Sequence, residues 1–332
     1  MAKKKRKTKK QLKQARKNRK ILLLIIVILL LLLVVRCGSK VTDKSETRVI
    51  GYLPTWYFNC YKDIDYDALT CINIAFINPN GDGDLHCGIA DENLRKIVKK
   101  AHKHDVKVVA ALGGGNGFAH YTDLTSSKKS IKAFDEKIID YVKDHDMDGI
   151  DLNIEGDVET EFWGNYDLWV TDLQKKCKKE DLILSCAVAS WFDDYISEET
   201  FEKFDYISVM AYDNKGDSKN HATIEYAQKQ LKYFSDSRNI DKDRLLLGIP
   251  FYGYRYENGF CTGKVVTYKE VATYNKDSEY ADESGTCRYN GIETVQKKAE
   301  LGKEYGGVMI WSLGQDMTDS KSLLKAIGKT LN

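Results

Sequence analysis

Asp148-Gly149-Ile150-Asp151-Leu152-Asn153-Ile154-Glu155-Gly156 gathers three carboxylates and an amide into nine residues. Apolar residues alternate with them, which predicts a strand whose successive side chains point to opposite faces. Ile150, Leu152 and Ile154 share one face; Asp151, Asn153 and Glu155 share the other. A strand buried on both sides normally carries apolar residues on both. Burying a polar row there costs several kcal/mol, on the order of desolvating unpaired polar groups. Such a row is worth keeping for general acid–base work, because burial shifts a carboxyl toward the pKa that proton transfer needs. An antiparallel strand with a wet face, or a structural row of ion pairs, would display the same residues.

Other residue types suited to a site fall at the ends of apolar runs. Gly113-Gly114-Gly115-Asn116-Gly117 lets backbone approach a ligand, or simply makes a tight turn. It lacks the GxGxxG spacing of a dinucleotide site. Met210-Ala211-Tyr212-Asp213 and Met309-Ile310-Trp311-Ser312 close two further runs, while Trp56 and Trp191 follow two more. Each aromatic alone could be core filler; several on one rim would suit the C–H faces of sugar rings.

The elements that must position these residues follow from periodicity. Apolar runs at 49–54, 71–78, 106–112, 148–155, 182–189, 205–212, 245–251 and 307–312 alternate with amphipathic patterns at 91–104, 127–145, 162–178, 222–235 and 291–305. Eight strands mostly separated by helices point to an α/β (β/α)8 TIM barrel over residues 48–332, with a doubly wound open sheet as the alternative. Catalytic groups in such a barrel sit where strands end, and Glu155 lies at the end of the fourth run.

Residues 1–36 fall outside this domain. Twelve Lys and Arg and no acid occupy 1–20, and Ile21 to Val35 are fifteen apolar residues closed by Arg36. An uncleaved transmembrane signal anchor at 21–36 is expected, with the basic tail cytoplasmic and the remainder extracellular, single-pass in the cell membrane. Val34-Val35-Arg36-Cys37-Gly38 is similar to a lipoprotein cleavage site, but such sites want a small residue where Arg36 stands. Residues 37–47 read as a polar linker. Of 51 Lys and Arg, 13 lie in 1–36, leaving 38 against 49 Asp and Glu, a formal charge of about −11. An acidic outer domain argues against nucleic acid as a partner. Seven cysteines follow Cys37; Cys261 with Cys287 is the favoured disulfide, Cys60 with Cys87 a weaker one, and Cys71 a buried thiol. No Cys/His spacing suggests a metal, and no cofactor is implied.

Taken together, these motifs resemble glycoside hydrolase family 18, the chitinases and endo-β-N-acetylglucosaminidases. The family's DGxDxDxE signature matches residues 148–155 at every marked position except Asn153. Its SxGG motif resembles Ala111-Leu112-Gly113-Gly114, and its MxYD motif is met at Met210–Asp213. Pro250-Phe251-Tyr252-Gly253 and Gly306-Gly307-Val308-Met309-Ile310-Trp311 are similar to its patterns on strands seven and eight. The resemblance runs from about residue 48 to 318.

It implies substrate-assisted retaining hydrolysis, an exception to the two-carboxylate scheme. Glu155 would be the acid, then the base. Asn153 and Tyr212 would hold the substrate's acetamido group, and Asp151 would support the acid–amide pair from inside the barrel. Asp213, Trp311, Tyr52, Phe76, Gly114, Trp191 and Met210 would form the sugar-binding surface. The family's Asp at position 153 is here an Asn, which accepts an N–H but brings no charge. Losing that charge-assisted contact is worth roughly 1–3 kcal/mol. The expected activity is hydrolysis of β-1,4-linked N-acetylglucosamine glycans; the alternative is a chitinase-like glycan-binding protein with little turnover. Chitin fragments, the N-glycan core and peptidoglycan all carry the required acetamido group. Only some 50 residues separate strand seven from Gly306, so a short insertion, an open groove and a monomer are expected.

Overall fold

The computed structural model describes residues 18, 47–115, 117, 119–155, 160–217 and 219–331. The expected tail apart from Asn18, the anchor and most of the linker, with Cys37, lie outside them. Among the described residues no helix is long and apolar enough to cross a membrane.

In chain order the strands are β1 Arg48–Pro54, β2 Cys71–Ala75, β3 Ile77–Pro79, β4 Leu85–Cys87, β5 Lys107–Gly114, β6 Gly149–Ile154 and β7 Ile183–Val188. There follow β8 Tyr206–Val209, β9 Leu245–Pro250, β10 Tyr252–Glu257, β11 Phe260–Thr267, β12 Glu283–Ser284, β13 Cys287–Arg288 and β14 Gly307–Trp311. The longer helices are α1 Asp91–His102, α2 Lys128–Asp144, α3 Thr160–Glu180, α4 Ile224–Lys232, α5 Ile292–Lys303 and α6 Leu323–Leu331. Eight strands close a barrel in the order β1-β14-β9-β8-β7-β6-β5-β2. Its neighbours pair in parallel, as the eight apolar runs predict.

The outer helices form for the usual local reasons. In α1 the buried residues Leu94, Ile97, Val98 and Ala101 make one stripe, with Asp91 and Glu92 in the first turn and Lys99, Lys100 and His102 in the last. That stripe faces the barrel, and the charges oppose the helix dipole. A capping box between Ser127 and Ser130 starts α2.

The segment between β9 and β14 is the short insertion. It folds as a four-stranded sheet in the order β11-β10-β13-β12. This sheet corrects the expected disulfide. Cys261 lies opposite Tyr256 on one side of β10, and Cys287 lies opposite Arg255 on the other. Two strand spacings separate them by about 9–10 Å, beyond a disulfide's reach. Both thiols are free, as are Cys60 and Cys87, while Cys71 is a buried thiol as expected.

Candidate active site

Every residue of β6 is buried. Because the strand alternates, Asp151 and Asn153 enter the barrel while Ile150, Leu152 and Ile154 pack outward against the helices. Asp151 is fully buried, and its two oxygens accept from Tyr52 Oη at 2.5 Å and Ser185 Oγ at 2.7 Å. Burial raises its pKa to about 6, and the bonds from Ser185 and Tyr52 oppose that rise.

Above this pair opens a cavity of about 460 Å³. Its wall includes Asn153, Glu155, Tyr212, Asp213, Met210, Phe76, Gly114 and Trp311, so most of the predicted site converges there. The ends of all barrel strands except β7 contribute. Trp191, after β7, is not in the wall; it stands 64% exposed, edge-on to Phe192. Tyr52, expected to touch sugar, lies beneath the surface, wholly buried between Asp151 and the Trp311 ring, whose centroid is 5.4 Å away. Its hydroxyl is consumed in holding Asp151.

Trp311 stacks on Phe76 with centroids 5.7 Å apart and planes inclined by 25°. Gly114 has φ +85°, and a Cβ there would come within 2.4 Å of the Phe76 ring, so glycine is required. Asn78 clamps the same loop: its Oδ1 accepts from Gly113 N at 2.7 Å, and its Nδ2 donates to Gly113 O at 2.9 Å. Tyr121 Oη adds a third bond to Asn78. Neither Asn78 nor Tyr252, both in the wall, was assigned a role from sequence. A lone Asn closing an apolar run carries no signal, and Tyr252 is visible only as part of the Pro250–Gly253 motif.

The electrostatics separate two carboxyls. Burial, and then the nearby Asp213 carboxylate, raise Glu155 to about pKa 7, against the lowering effect of a hydrogen bond from the Asn153 amide. Burial also pushes Asp213 upward, but the adjoining His221 ring and hydrogen bonds from the Tyr252 and Tyr254 hydroxyls prevail and leave it below its ordinary value. Two acids pushed apart in this way provide one proton donor and one fixed anion. Asn153 Oδ1 is buried and has no hydrogen-bond partner among the described residues. That oxygen is an unused acceptor on a residue of the cavity wall. The arrangement can protonate a leaving group and receive an N–H donor beside it.

The family model for glycosyl hydrolases family 18 matches residues 48–316. The GH18 chitinase ChiB from the chitin utilization locus of Flavobacterium johnsoniae is 29% identical and superposes with a TM-score of 0.79, covering 87% of this chain and 94% of that one. A class V chitinase, CHIT5, of Lotus japonicus is 23% identical over 83% of this chain and 85% of its own length. A GH18 chitinase from Cycas revoluta in complex with (GlcNAc)3, 18% identical over 86% of this chain and all of that one, shares the fold at a TM-score of 0.72. With the barrel, the acid at the end of β6 and the aromatic wall in place, the chain belongs to glycosyl hydrolases family 18.

Proposed function

We propose that the protein hydrolyses β-1,4-linked N-acetylglucosamine glycans by a retaining, substrate-assisted route. One observation carries the reading: Glu155, raised to about pKa 7, sits beside Asn153, whose buried Oδ1 lacks a donor. A 2-acetamido group supplies that donor. Its N–H bonds to Asn153 Oδ1 while its carbonyl oxygen, oriented by Tyr212, attacks the anomeric carbon. Glu155 gives its proton to the glycosidic oxygen as that bond breaks, leaving an oxazolinium-type intermediate. Water then opens it, giving a proton back to Glu155 and restoring the original anomeric configuration. Asp213 stays ionised to bind hydroxyls, and Trp311 floors the reacting ring.

The wall holds Glu155 and Asp213 and, among the described residues, no Lys or Arg. A neutral sugar polymer suits it; the lactyl carboxylate of peptidoglycan would be desolvated beside two acids without a counter-charge. The favoured substrates are therefore chitin oligosaccharides and the chitobiose core of N-glycans. The acidic outer domain is held at the cell surface by the anchor at 21–36. One observation favours a second reading, a glycan-binding protein of low turnover: Asn153 stands where the family's signature has Asp.

Wild type and Glu155→Gln, assayed on chitooligosaccharides, core N-glycans and peptidoglycan, separate the two. Loss of the acid is expected to lower kcat by about 100- to 10,000-fold on the first two substrates. Equal rates for the two proteins would end the hydrolase reading.

A further inference from the structure

We propose that His221 is a positioning residue for this reaction: it holds the Asp213 turn in place while touching no sugar itself. The inference rests on the proposed hydrolysis.

Asp213 follows β8 with φ +62°, in the left-handed region that a residue other than glycine occupies only when its surroundings hold it. The holding groups can be named. Tyr252 Oη and Tyr254 Oη donate to Asp213 Oδ1 at 2.6 and 2.9 Å. The backbone N–H of Asp213 donates to His221 Nδ1 at 3.3 Å, and His221 Nε2 lies 3.3 Å from the Tyr252 carbonyl oxygen. One neutral tautomer, with its hydrogen on Nε2, satisfies both bonds; a protonated ring would leave the Asp213 N–H without its acceptor. Burial holds the ring's pKa below its ordinary value, against the pull of Asp213.

The ring has little freedom to move. It is wholly buried, tilted against Tyr252 with centroids 5.3 Å apart and edge-on to Tyr254 at 4.9 Å. Its own carbonyl accepts from Asn214 N at 2.9 Å, which closes the turn. On either side the backbone is pinned: Asn220 Nδ2 donates to Tyr289 O at 2.6 Å, and Lys298 Nζ of α5 donates to Ala222 O at 2.7 Å. His221 thus ties the catalytic-face turn after β8 to β10 of the insertion. It is not in the cavity wall. Any effect on turnover must pass through its neighbours, of which Asp213 is the carboxylate whose charge reaches Glu155.

A histidine that merely fills the core would affect folding and nothing else. A double-mutant cycle in the full chain distinguishes the two, using wild type, His221→Ala, Asp213→Asn and the double variant on chitotetraose. His221→Ala is expected to lower kcat by about 10- to 100-fold with little change in KM, the scale of an ångström-level misplacement. In the Asp213→Asn background the same change should cost less than about 3-fold, because contacting residues are not additive. His221→Asn places an oxygen near the Nδ1 position and should retain most of kcat. His221→Gln reaches the Tyr252 carbonyl but brings no acceptor to Asp213, and should resemble His221→Ala. Equal losses in both backgrounds, or equal activity of the Asn and Gln variants, would overturn the assignment. Should His221→Ala not fold, the Asn and Gln pair decides, compared at matched melting temperature. Should wild type not turn over, the hydrolase reading fails separately, and the same cycle is read in the Kd for chitotetraose.

Discussion

Asn153 does two jobs with one side chain. Its amide lowers the pKa of Glu155, while its buried oxygen has no hydrogen-bond partner among the described residues. An aspartate at this position would lose the donor and add a like charge beside Glu155, and both changes raise the acid's pKa. Glu155 works as an acid only while protonated, so the alkaline limb of kcat/KM marks its deprotonation. That limb is expected about one unit higher or more in Asn153→Asp than in wild type, where it falls near pH 7. Superimposable pH–rate profiles of the two proteins would refute the role given to the amide.

At the scale of elements, the turn after β5 sets the shape of the floor. Asn78 clamps Gly113, and Gly114 lies against Phe76, which in turn stacks on Trp311. Gly114→Ala would place a Cβ 2.4 Å from the ring at a φ of +85°. The backbone strain alone is about 1–3 kcal/mol. The substitution is expected to raise KM for chitooligosaccharides about 5- to 100-fold as Phe76 and Trp311 shift, and to lower the melting temperature. Steady-state kinetics and calorimetry check both, and an unchanged KM would show that the Phe76–Trp311 stack does not shape the sugar site.

For the whole molecule, barrel closure brings together residues far apart in the chain. Tyr52 and Asp151, 99 positions apart, share a hydrogen bond, and Trp311 meets Phe76 because β14 closes against β1. Closure is complete within Thr47–Asn332, which forms one compact unit. A chain of residues 48–332 is therefore expected to cleave chitotetraose at the rate of the full protein. The full protein should sediment with membranes and resist extraction by high salt, whereas the shorter chain should not. Full-length protein found in the soluble fraction would remove the anchor from the account. Free thiols throughout the described domain fit a fold closed by strand pairing rather than by disulfides.

Local patterning determined much of this. Period-two alternation in 148–155 put Asp151, Asn153 and Glu155 on one face, because successive side chains of a strand point to opposite sides; barrel closure made that face the inner one. Alternating strands and helices pointed to a barrel, with an open sheet as the alternative, and the end of the fourth run located Glu155; closure settled the choice. Only tertiary structure decided what each polar atom meets. Tyr52 went beneath the site, Trp191 stayed outside the cavity, Cys261 and Cys287 fell on opposite sides of β10, and Asn78 and His221 became clamps. Their spacing in sequence carries no trace of these partners, because hydrogen bonds and contacts of a few ångströms depend on how distant segments are brought together when the barrel closes.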